Sequence, residues 1–300
     1  MLRKFIASPF TSGRIILTAF LFFLNLACVA QIYSSKSNAG YDPISQDVII
    51  KDSIYPGIKS VKVNSGNSNL NVLQYYPTGK GPHPTLILLH GYTGMGGNVD
   101  VATTMSRAGW NVIFFRYRGS WGMPGEFTFQ NCIEDAVNIV NYFKVNAGSM
   151  NVDTSQIALF GHSMGGWVAL KAATRLPFVK KVFVLSTWDI YKDVINEKIK
   201  GTLDNRYTQA EGYSELKITS GKLLYEPVMR DSVAFILSNE GSKIADKKIF
   251  FLDEHYNNKY IVDSFKKYTQ NIKYDVWKSD HSFTYTRIAM LRRLLSFLNE

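Results

Sequence analysis

The sequence has little cysteine and no repetitive or linker-like segments, and these absences exclude several classes of protein. Its 300 residues include two cysteines, Cys28 and Cys132, too few for a disulfide framework or a cysteine-rich zinc site. No repeat of about 20 to 50 residues and no Pro- or Ser-rich linker is visible, which excludes a solenoid and favours one globular domain. Hydrophobic residues make up 46% of the chain and charged residues 19%, which is enough for a buried core and too apolar for a disordered chain.

The formal net charge of +10 does not by itself indicate a nucleic-acid-binding protein. Three of the basic residues, Arg3, Lys4 and Arg14, belong to an N-terminal segment that we expect to be removed. Basic pairs elsewhere, such as Lys180-Lys181 and Arg292-Arg293, are scattered without an aromatic-interleaved stripe. The sequence therefore predicts solvated basic side chains and no nucleic-acid partner.

The first 30 residues have the pattern of a secretory signal peptide. A basic stretch without acidic residues is followed by sixteen mostly apolar residues, 15–30, which as a helix span about 24 Å, less than the hydrocarbon core of roughly 30 Å. We expect cleavage after Ala30, so that the mature domain comprises residues 31–300 and is periplasmic or secreted. An uncleaved anchor or lipidation at Cys28 are the alternatives, and only these predict membrane attachment. Cys132 is then the single cysteine of the mature chain and is expected to be a buried apolar residue.

The hydrophobic pattern predicts an α/β domain with a mostly parallel sheet. Short alternating segments around residues 48–50, 60–63 and 70–75 indicate an opening β-meander. Compact apolar runs, typical of strands covered on both faces, follow at residues 85–90, 112–115, 157–160, 182–185 and 249–252. Helical patterns at residues 131–145 and 283–298 predict helices on both faces of this sheet.

Residues 189–246 interrupt the alternation of strands and helices and are predicted to form a helical cap insertion. The cap contains four aromatic residues of interest, Tyr207, Tyr213, Tyr225 and Phe235. We expect them to form the cap's own core; the alternative is that they line an acyl-binding pocket. The choice of substrate is expected to lie in this cap.

The segment Gly161-His162-Ser163-Met164-Gly165-Gly166 connects a predicted strand to a predicted helix. A G-x-S-x-G sequence in this context places the serine on a tight, strained turn with its oxygen above the sheet. Glycines flank the serine because side chains there would collide with a neighbouring strand or helix. The pattern predicts Ser163 as a nucleophile, although a structural turn softened by glycine also fits these letters.

A glycine-rich loop, His90-Gly91-Tyr92-Thr93-Gly94-Met95-Gly96-Gly97, follows the strand predicted at residues 85–90. An acyl-transfer enzyme needs two N–H donors for the oxyanion that develops, and the candidates are the backbone N–H groups of Tyr92 and Met164. The loop lacks the Gly-Lys-Ser/Thr ending of a phosphate-binding loop.

His281 lies in the loop between the strand predicted at residues 274–277 and the final helix, from which an imidazole reaches over the sheet. His90 and His162 are expected to support the glycine-rich loop and the serine turn by hydrogen bonds. No HExxH or other close ligand spacing is present, so we expect no metal and no cofactor.

These segments together resemble bacterial α/β-hydrolases of the prolyl-oligopeptidase-like serine hydrolase group. The resemblance also includes Arg116–Phe127, Ser186–Ile190 and Asp280–Phe283 and covers most of residues 60–300. It implies an eight-stranded, mostly parallel sheet, with Ser163 as nucleophile, His281 as general base and then acid, and a carboxylate after the strand at residues 249–252.

The sequence departs from the family at this carboxylate. Where an Asp is usual, about four or five residues beyond the strand, the chain has Tyr256 and Asn257. Asp253 is the first substitute; Glu254 and Asp189 are the other candidates.

The expected function is that of a serine hydrolase acting on a small-molecule carboxylic ester, or a peptide, through an acyl-enzyme on Ser163. The missing acid motivates an alternative, a weak or inactive pseudo-hydrolase that binds a ligand or partner without turnover.

Overall fold

A twisted sheet of eight strands forms the centre of the computed structural model, which describes residues 41–50, 53–95 and 97–300. Within the described residues the spatial order of the strands is β1-β2-β4-β3-β5-β6-β7-β8. The strands are β1 Gly57–Ser65, β2 Ser68–Tyr76, β3 His83–Leu89, β4 Asn111–Phe115, β5 Val152–His162, β6 Lys181–Leu185, β7 Lys248–Asp253 and β8 Ile272–Val276.

Strands β3 to β8 are parallel to one another, whereas β2 pairs antiparallel with both β1 and β4. The mostly parallel sheet is therefore confirmed, and its opening is a hairpin. The segment 48–50, which we predicted as a further strand, is not part of the sheet, and Ile49 is 76% exposed. A strand with neither a ladder partner nor a buried face gains no stability from pairing or burial.

Alternate residues of the central strands face two separate cores, one on each side of the sheet. Ile157 and Leu159 of β5 belong to the larger core, and Ala158 and Phe160 belong to the smaller one. Strands buried on both faces have near-continuous apolar sequences, which is why these runs could be recognised.

Helices cover both faces of the sheet, as predicted. Helices α1 (Val99–Arg107) and α10 (Arg287–Leu298) pack on the smaller core, whereas α2 (Phe129–Val145), α4 (Met164–Ala173) and α9 (Lys259–Lys266) pack on the larger one. A short helix, α3 (Ala147–Met150), precedes β5, and 3-10 turns lie at Tyr256–Asn258 and Thr284–Thr286.

Two helix boundaries differ from the sequence pattern for local reasons. Helix α2 begins at Phe129 because the Thr128 side chain caps it, accepting a hydrogen bond of 3.0 Å from the Asn131 N–H. Helix α10 begins later than predicted because the 3-10 turn Thr284–Thr286 precedes it.

The segment between β6 and β7 is mostly helical, and we refer to it as the cap. It contains α5 (Ile190–Lys200), α6 (Leu203–Glu211), α7 (Gly221–Arg230), α8 (Ser232–Phe235) and a 3-10 segment, Ser238–Ile244. The four aromatic residues expected to form its core pack into the larger core; Tyr225 and Phe235 are 1% exposed.

Cys132 is fully buried in the larger core, which confirms its prediction as a buried apolar residue. Residues 43–300 cluster as one unit. The predicted signal peptide and its cleavage site lie outside the described residues. Among the described residues, no helix has the length and apolar character needed to cross a membrane.

Candidate active site

Ser163 lies on a sharp turn between β5 and α4 with a strained backbone. Its φ of 56° and ψ of −119° are unusual for a residue with a side chain. The Ser163 N–H donates to the Leu185 carbonyl of β6 at 2.8 Å, and the Ser163 carbonyl accepts from the Trp188 N–H at 3.0 Å. Bonds to the neighbouring strand and to the start of the cap thus hold the serine in this conformation.

The glycines around Ser163 are required by close backbone contacts. A Cβ at Gly161 would lie 2.1 Å from the Gly165 carbonyl oxygen, and a Cβ at Gly165 would lie 1.9 Å from the Leu89 carbonyl oxygen. The predicted collisions therefore occur with the helix in the first case and with strand β3 in the second.

His281, in the loop between β8 and α10, is hydrogen-bonded to a carboxylate. Its Nδ1 lies 2.8 Å from Oε1 of Glu254, the residue that follows β7. The His281 side chain is 55% exposed, whereas the Glu254 side chain is only 12% exposed. An imidazole whose Nδ1–H is held by a carboxylate presents its other nitrogen, Nε2, as a base.

Glu254 is further fixed by Ser186, whose hydroxyl donates to Oε2 of Glu254 at 2.5 Å. Burial alone would raise the pKa of Glu254, but the hydrogen bonds from His281 and Ser186 outweigh it and lower that pKa to about 2. Glu254 is therefore charged across the neutral range.

Asp253, our first choice for the acid, does not contact His281 and this prediction is corrected. Asp253 is the last residue of β7 and is fully buried, and its Oδ1 accepts a bond of 3.3 Å from the Asn258 side chain. Alternate residues of a strand share a face, and Asp253 follows Phe251 by two residues. Asp253 therefore lies on the face of β7 that packs on the larger core. The next residue, Glu254, reaches His281 instead.

Asp189, the third candidate, caps the first helix of the cap. Its Oδ1 accepts a hydrogen bond of 3.2 Å from the Lys192 N–H, and burial raises the pKa of Asp189. The side chain borders the cavity over Ser163 without contacting the imidazole of His281.

Two further histidines support the site, as expected. The Nε2 of His162 lies 2.9 Å from the His281 carbonyl oxygen, and the two rings have centroids 5.0 Å apart. Burial lowers the pKa of His162 to about 4, so this histidine is neutral and its Nε2–H is the donor. His90 is buried in the glycine-rich loop, where its Nδ1 lies 2.8 Å from the Gly91 carbonyl oxygen.

The glycine-rich loop lies directly against the serine. A Cβ at Gly91 would be 3.2 Å from Cβ of Ser163, so the backbone that leads to Tyr92 passes beside the nucleophile. Met164 is the first residue of α4, where backbone N–H groups have no acceptor within the helix. The two residues predicted as oxyanion donors thus lie close to Ser163.

Two cavities meet at the serine, and Tyr92, Ser163 and His281 border both. The larger, of about 510 Å³, lies on the cap side, and the smaller, of about 390 Å³, lies between the glycine-rich loop and the start of α10. Most residues around the larger cavity are polar; they include Asp189, Lys192, Asp193, Asn196, Arg206 and Asn257.

The sequence analysis missed the role of Ser186. Its φ of 48° places it on a strained turn after β6, and its hydroxyl also lies 3.2 Å from the His281 carbonyl oxygen. A serine after a buried strand carries no distinctive signal, although the resemblance included this segment. In the described part of the chain, no group of three or more His, Cys, Asp or Glu residues is arranged to hold a metal ion.

Comparisons with known proteins agree with this architecture. The model of the BD-FAE family matches residues 73–193. An uncharacterized protein of Mycobacterium tuberculosis is 28% identical over 148 residues, which are 49% of this chain and 52% of the relative. An arylesterase of Saccharolobus solfataricus is 24% identical over 60% of this chain and 62% of its own length. The chain thus spans only about half to two thirds of these relatives.

The esterase Pf2001 of Pyrococcus furiosus has a similar structure, with a TM-score of 0.61 and 18% identity over 85% of this chain and 96% of its own. Together with the mostly parallel eight-stranded sheet, this similarity shows that the chain has the α/β-hydrolase fold. The narrower resemblance to the prolyl-oligopeptidase-like group stays a prediction.

Proposed function

We propose that this protein is a serine hydrolase that cleaves carboxylic esters through an acyl-enzyme on Ser163. The observation that carries the proposal is the 2.8 Å hydrogen bond between Glu254 and His281, in a loop that borders the same cavities as the strained Ser163. A serine, an imidazole and a carboxylate in these positions are the groups that acyl transfer requires.

In the first half-reaction, Oγ of Ser163 attacks the ester carbonyl carbon while Nε2 of His281 accepts the hydroxyl proton. The tetrahedral intermediate collapses, the bond to the alcohol oxygen breaks, and His281 returns the proton to that oxygen. In the second half-reaction, water attacks the acyl-enzyme with the same proton transfers and releases the acid. Glu254 stabilises the imidazolium in both halves without itself becoming protonated.

The backbone N–H groups of Tyr92 and Met164 are proposed as the oxyanion donors. Their residues flank Ser163, one in the glycine-rich loop and one at the start of α4. Such donors stabilise the charge that forms in the transition state, where they contribute most to the rate.

The polar surroundings of the cap-side cavity favour a small, polar ester over a long-chain lipid. The four aromatic residues of the cap pack into the larger core, and charged or amide side chains line the space over Ser163. The names of two similar proteins, an arylesterase and an esterase, support ester hydrolysis as the reaction. A peptide substrate is the alternative from the sequence and stays a prediction.

The pseudo-hydrolase alternative depended on a missing acid. Glu254 occupies the position beside His281 that this alternative assumed to be empty. An active hydrolase is therefore the better supported proposal.

Ser163 is tested as the nucleophile with a fluorophosphonate probe and a p-nitrophenyl ester at about pH 8. The mature chain should be labelled on Ser163 and should hydrolyse the ester, and Ser163→Ala should abolish both. Ser149→Ala, at an exposed serine, is the matched control and should behave as the wild type. A wild-type chain that resists the probe and cleaves no ester would overturn the proposal.

We also propose a periplasmic or secreted location, with cleavage after Ala30. The support is the basic and then apolar pattern of the first 30 residues. N-terminal sequencing of the exported protein should begin at Gln31; a retained Met1 or a lipid on Cys28 would contradict this.

A further inference from the structure

We propose that Trp121 is a positioning residue that holds the glycine-rich loop in place and connects it to the cap. The inference rests on the proposed function, because it concerns the loop that carries the Tyr92 N–H. Trp121 is outside the catalytic groups described above and borders neither cavity at Ser163.

The indole of Trp121 is bonded to the backbone of this loop. Its Nε1–H donates to the Thr93 carbonyl at 2.5 Å, one residue beyond Tyr92. The guanidinium of Arg116 donates to the next carbonyl, that of Gly94, at 2.8 Å and lies 4.6 Å from the centre of the Trp121 ring. The two carbonyls after the predicted oxyanion donor are therefore held by a stacked indole and guanidinium pair.

The loop needs such support because its backbone conformation is unfavourable. Thr93 has a φ of 59°, in the left-handed region, and Gly94 has a φ of 84°. A threonine is strained in this region and keeps the conformation only where neighbouring contacts fix it. Without the Nε1–H bond, the Thr93 carbonyl loses this partner, and we expect the peptide units beside it, including the Tyr92 N–H, to shift.

The backbone of Trp121 is at the same time bonded to the cap. Its N–H donates to the Glu215 carbonyl at 2.7 Å, and the Lys217 N–H donates to the Gly119 carbonyl at 2.6 Å. A bond of 2.8 Å from the Phe127 N–H to the Lys217 carbonyl extends this contact. The segment 215–217 of the cap thus fixes the loop from which Trp121 reaches Thr93.

The Tyr92 side chain provides a second contact between the same loop and the cap. Its ring packs on Trp188 and Tyr213, with centroids 5.6 Å away in each case. Two contacts therefore connect the glycine-rich loop to the cap. One is made by the Tyr92 ring, and the other runs from Thr93 through Trp121.

Loss of the indole N–H should weaken transition-state stabilisation more than substrate binding. An oxyanion donor bonds to charge that exists only in the transition state, so a displaced donor lowers kcat and leaves KM nearly unchanged. Removal of an oxyanion donor costs about 10²–10³ in kcat, and displacement of one should cost less, roughly tenfold.

The test replaces Trp121 with benzothienylalanine, which keeps the size and stacking of the bicyclic ring but lacks the N–H. Using the mature chain and p-nitrophenyl acetate, we expect kcat to fall roughly tenfold and KM to stay within about twofold. Phenylboronic acid, which forms a tetrahedral adduct on an active serine, should bind more weakly by about the same factor as kcat falls. Trp121→Phe should also lower kcat and weaken the binding of phenylboronic acid.

Trp110→Phe is the control for a general effect of losing tryptophan packing, since Trp110 is 4% exposed in the smaller core. It should lower the melting temperature without changing kcat or boronate affinity. An unchanged kcat in the benzothienylalanine variant, or a raised KM with normal kcat, would overturn the role of Trp121. A wild-type chain without any esterase activity would instead contradict the proposed function itself.

Discussion

Two adjacent carboxylates, Asp253 and Glu254, have opposite environments at the end of β7. Asp253 is fully buried and burial raises its pKa to about 6, whereas hydrogen bonds lower the pKa of Glu254 to about 2. Because neighbouring residues of a strand point in opposite directions, Asp253 is buried in the core whereas Glu254 bonds to His281.

Activity distinguishes the two residues. Glu254→Gln should lower kcat by about 10²–10⁴, because a neutral amide does not stabilise the imidazolium and can select the wrong tautomer. Asp253→Asn should retain most of the activity, since its side chain bonds to Asn258 and does not reach His281. Steady-state kinetics on a p-nitrophenyl ester measures both; a larger loss in Asp253→Asn than in Glu254→Gln would show that the acid is misassigned.

Asp253 should also make stability depend on pH in a defined direction. Because its folded pKa is above the unfolded value, the native state binds more protons between about pH 4 and pH 6, and stability falls as pH rises through this window. Relative to Asp253→Asn, the wild type should lose roughly 2 kcal/mol of unfolding free energy between about pH 4 and pH 8. Urea unfolding of both proteins at several pH values provides the measurement. Parallel pH profiles would contradict the raised pKa.

The sequence located the loop of the acid but not the residue. Spacing from the family pointed at Tyr256 and Asn257, where no acid exists, and proximity to the strand then favoured Asp253. Strand parity contained the missing signal, because Ile249, Phe251 and Asp253 share a face. The orientation of the Glu254 side chain depends on its hydrogen bonds to Ser186 and His281. These two residues are distant from Glu254 in the sequence, so the sequence pattern near Glu254 does not reveal the bonds.

At the scale of elements, the turn between β5 and α4 is limited by backbone packing. Gly165→Ala should prevent a properly formed turn, because its Cβ would lie 1.9 Å from the carbonyl oxygen of Leu89, which belongs to a central strand. We expect loss of activity and a destabilisation of at least about 3 kcal/mol, at the upper end for overpacking in a core. Gly148→Ala is the matched control, since its added Cβ would have no atom within 4 Å beyond its chain neighbours and its own helix backbone.

Gly148 lies in the short helix α3, so its replacement should be neutral or stabilise by about 0.5–1 kcal/mol. Thermal and chemical unfolding of both variants tests the difference. An active, stable Gly165→Ala protein would show that the strand and helix can separate at this point, contrary to the close packing described above.

Elements with continuous apolar runs could be predicted, and those with few apolar residues could not. Strands β3 to β7 were recognised because both of their faces are buried. Helix α1 escaped prediction since its buried apolar residues are only Val101, Ala102 and Met105. Helix α9 also escaped prediction because it is only eight residues long.

At the scale of the whole molecule, a buried ion pair connects the cap to the helix that follows the nucleophile. Nζ of Lys171 in α4 lies 2.6 Å from Oε1 of Glu240 and 3.0 Å from the Ile236 carbonyl oxygen, and both charged side chains are almost fully buried. Lys243 also contacts Glu240, at 2.9 Å, from the surface.

Lys171→Met should destabilise the protein because it leaves Glu240 with only the partly exposed Lys243 as a counter-charge. Removing one partner of a buried pair costs about 3–5 kcal/mol, and the remaining contact favours the lower end. Lys180→Met, in the exposed pair with Asp246, is the control and should cost less than about 1 kcal/mol. Denaturant unfolding compares them; equal small effects would mean that the buried pair contributes little.

The two cavities that share Ser163 and His281 have a consequence for the order of events in ester hydrolysis. In a two-step reaction the alcohol departs while the acyl group remains attached to the serine. His281 borders both cavities, so water that enters the cavity left by the alcohol can reach its imidazole without displacing the acyl group. Under the proposed mechanism, water and the acyl group therefore occupy different cavities beside Ser163, and the acyl group need not move between the two half-reactions.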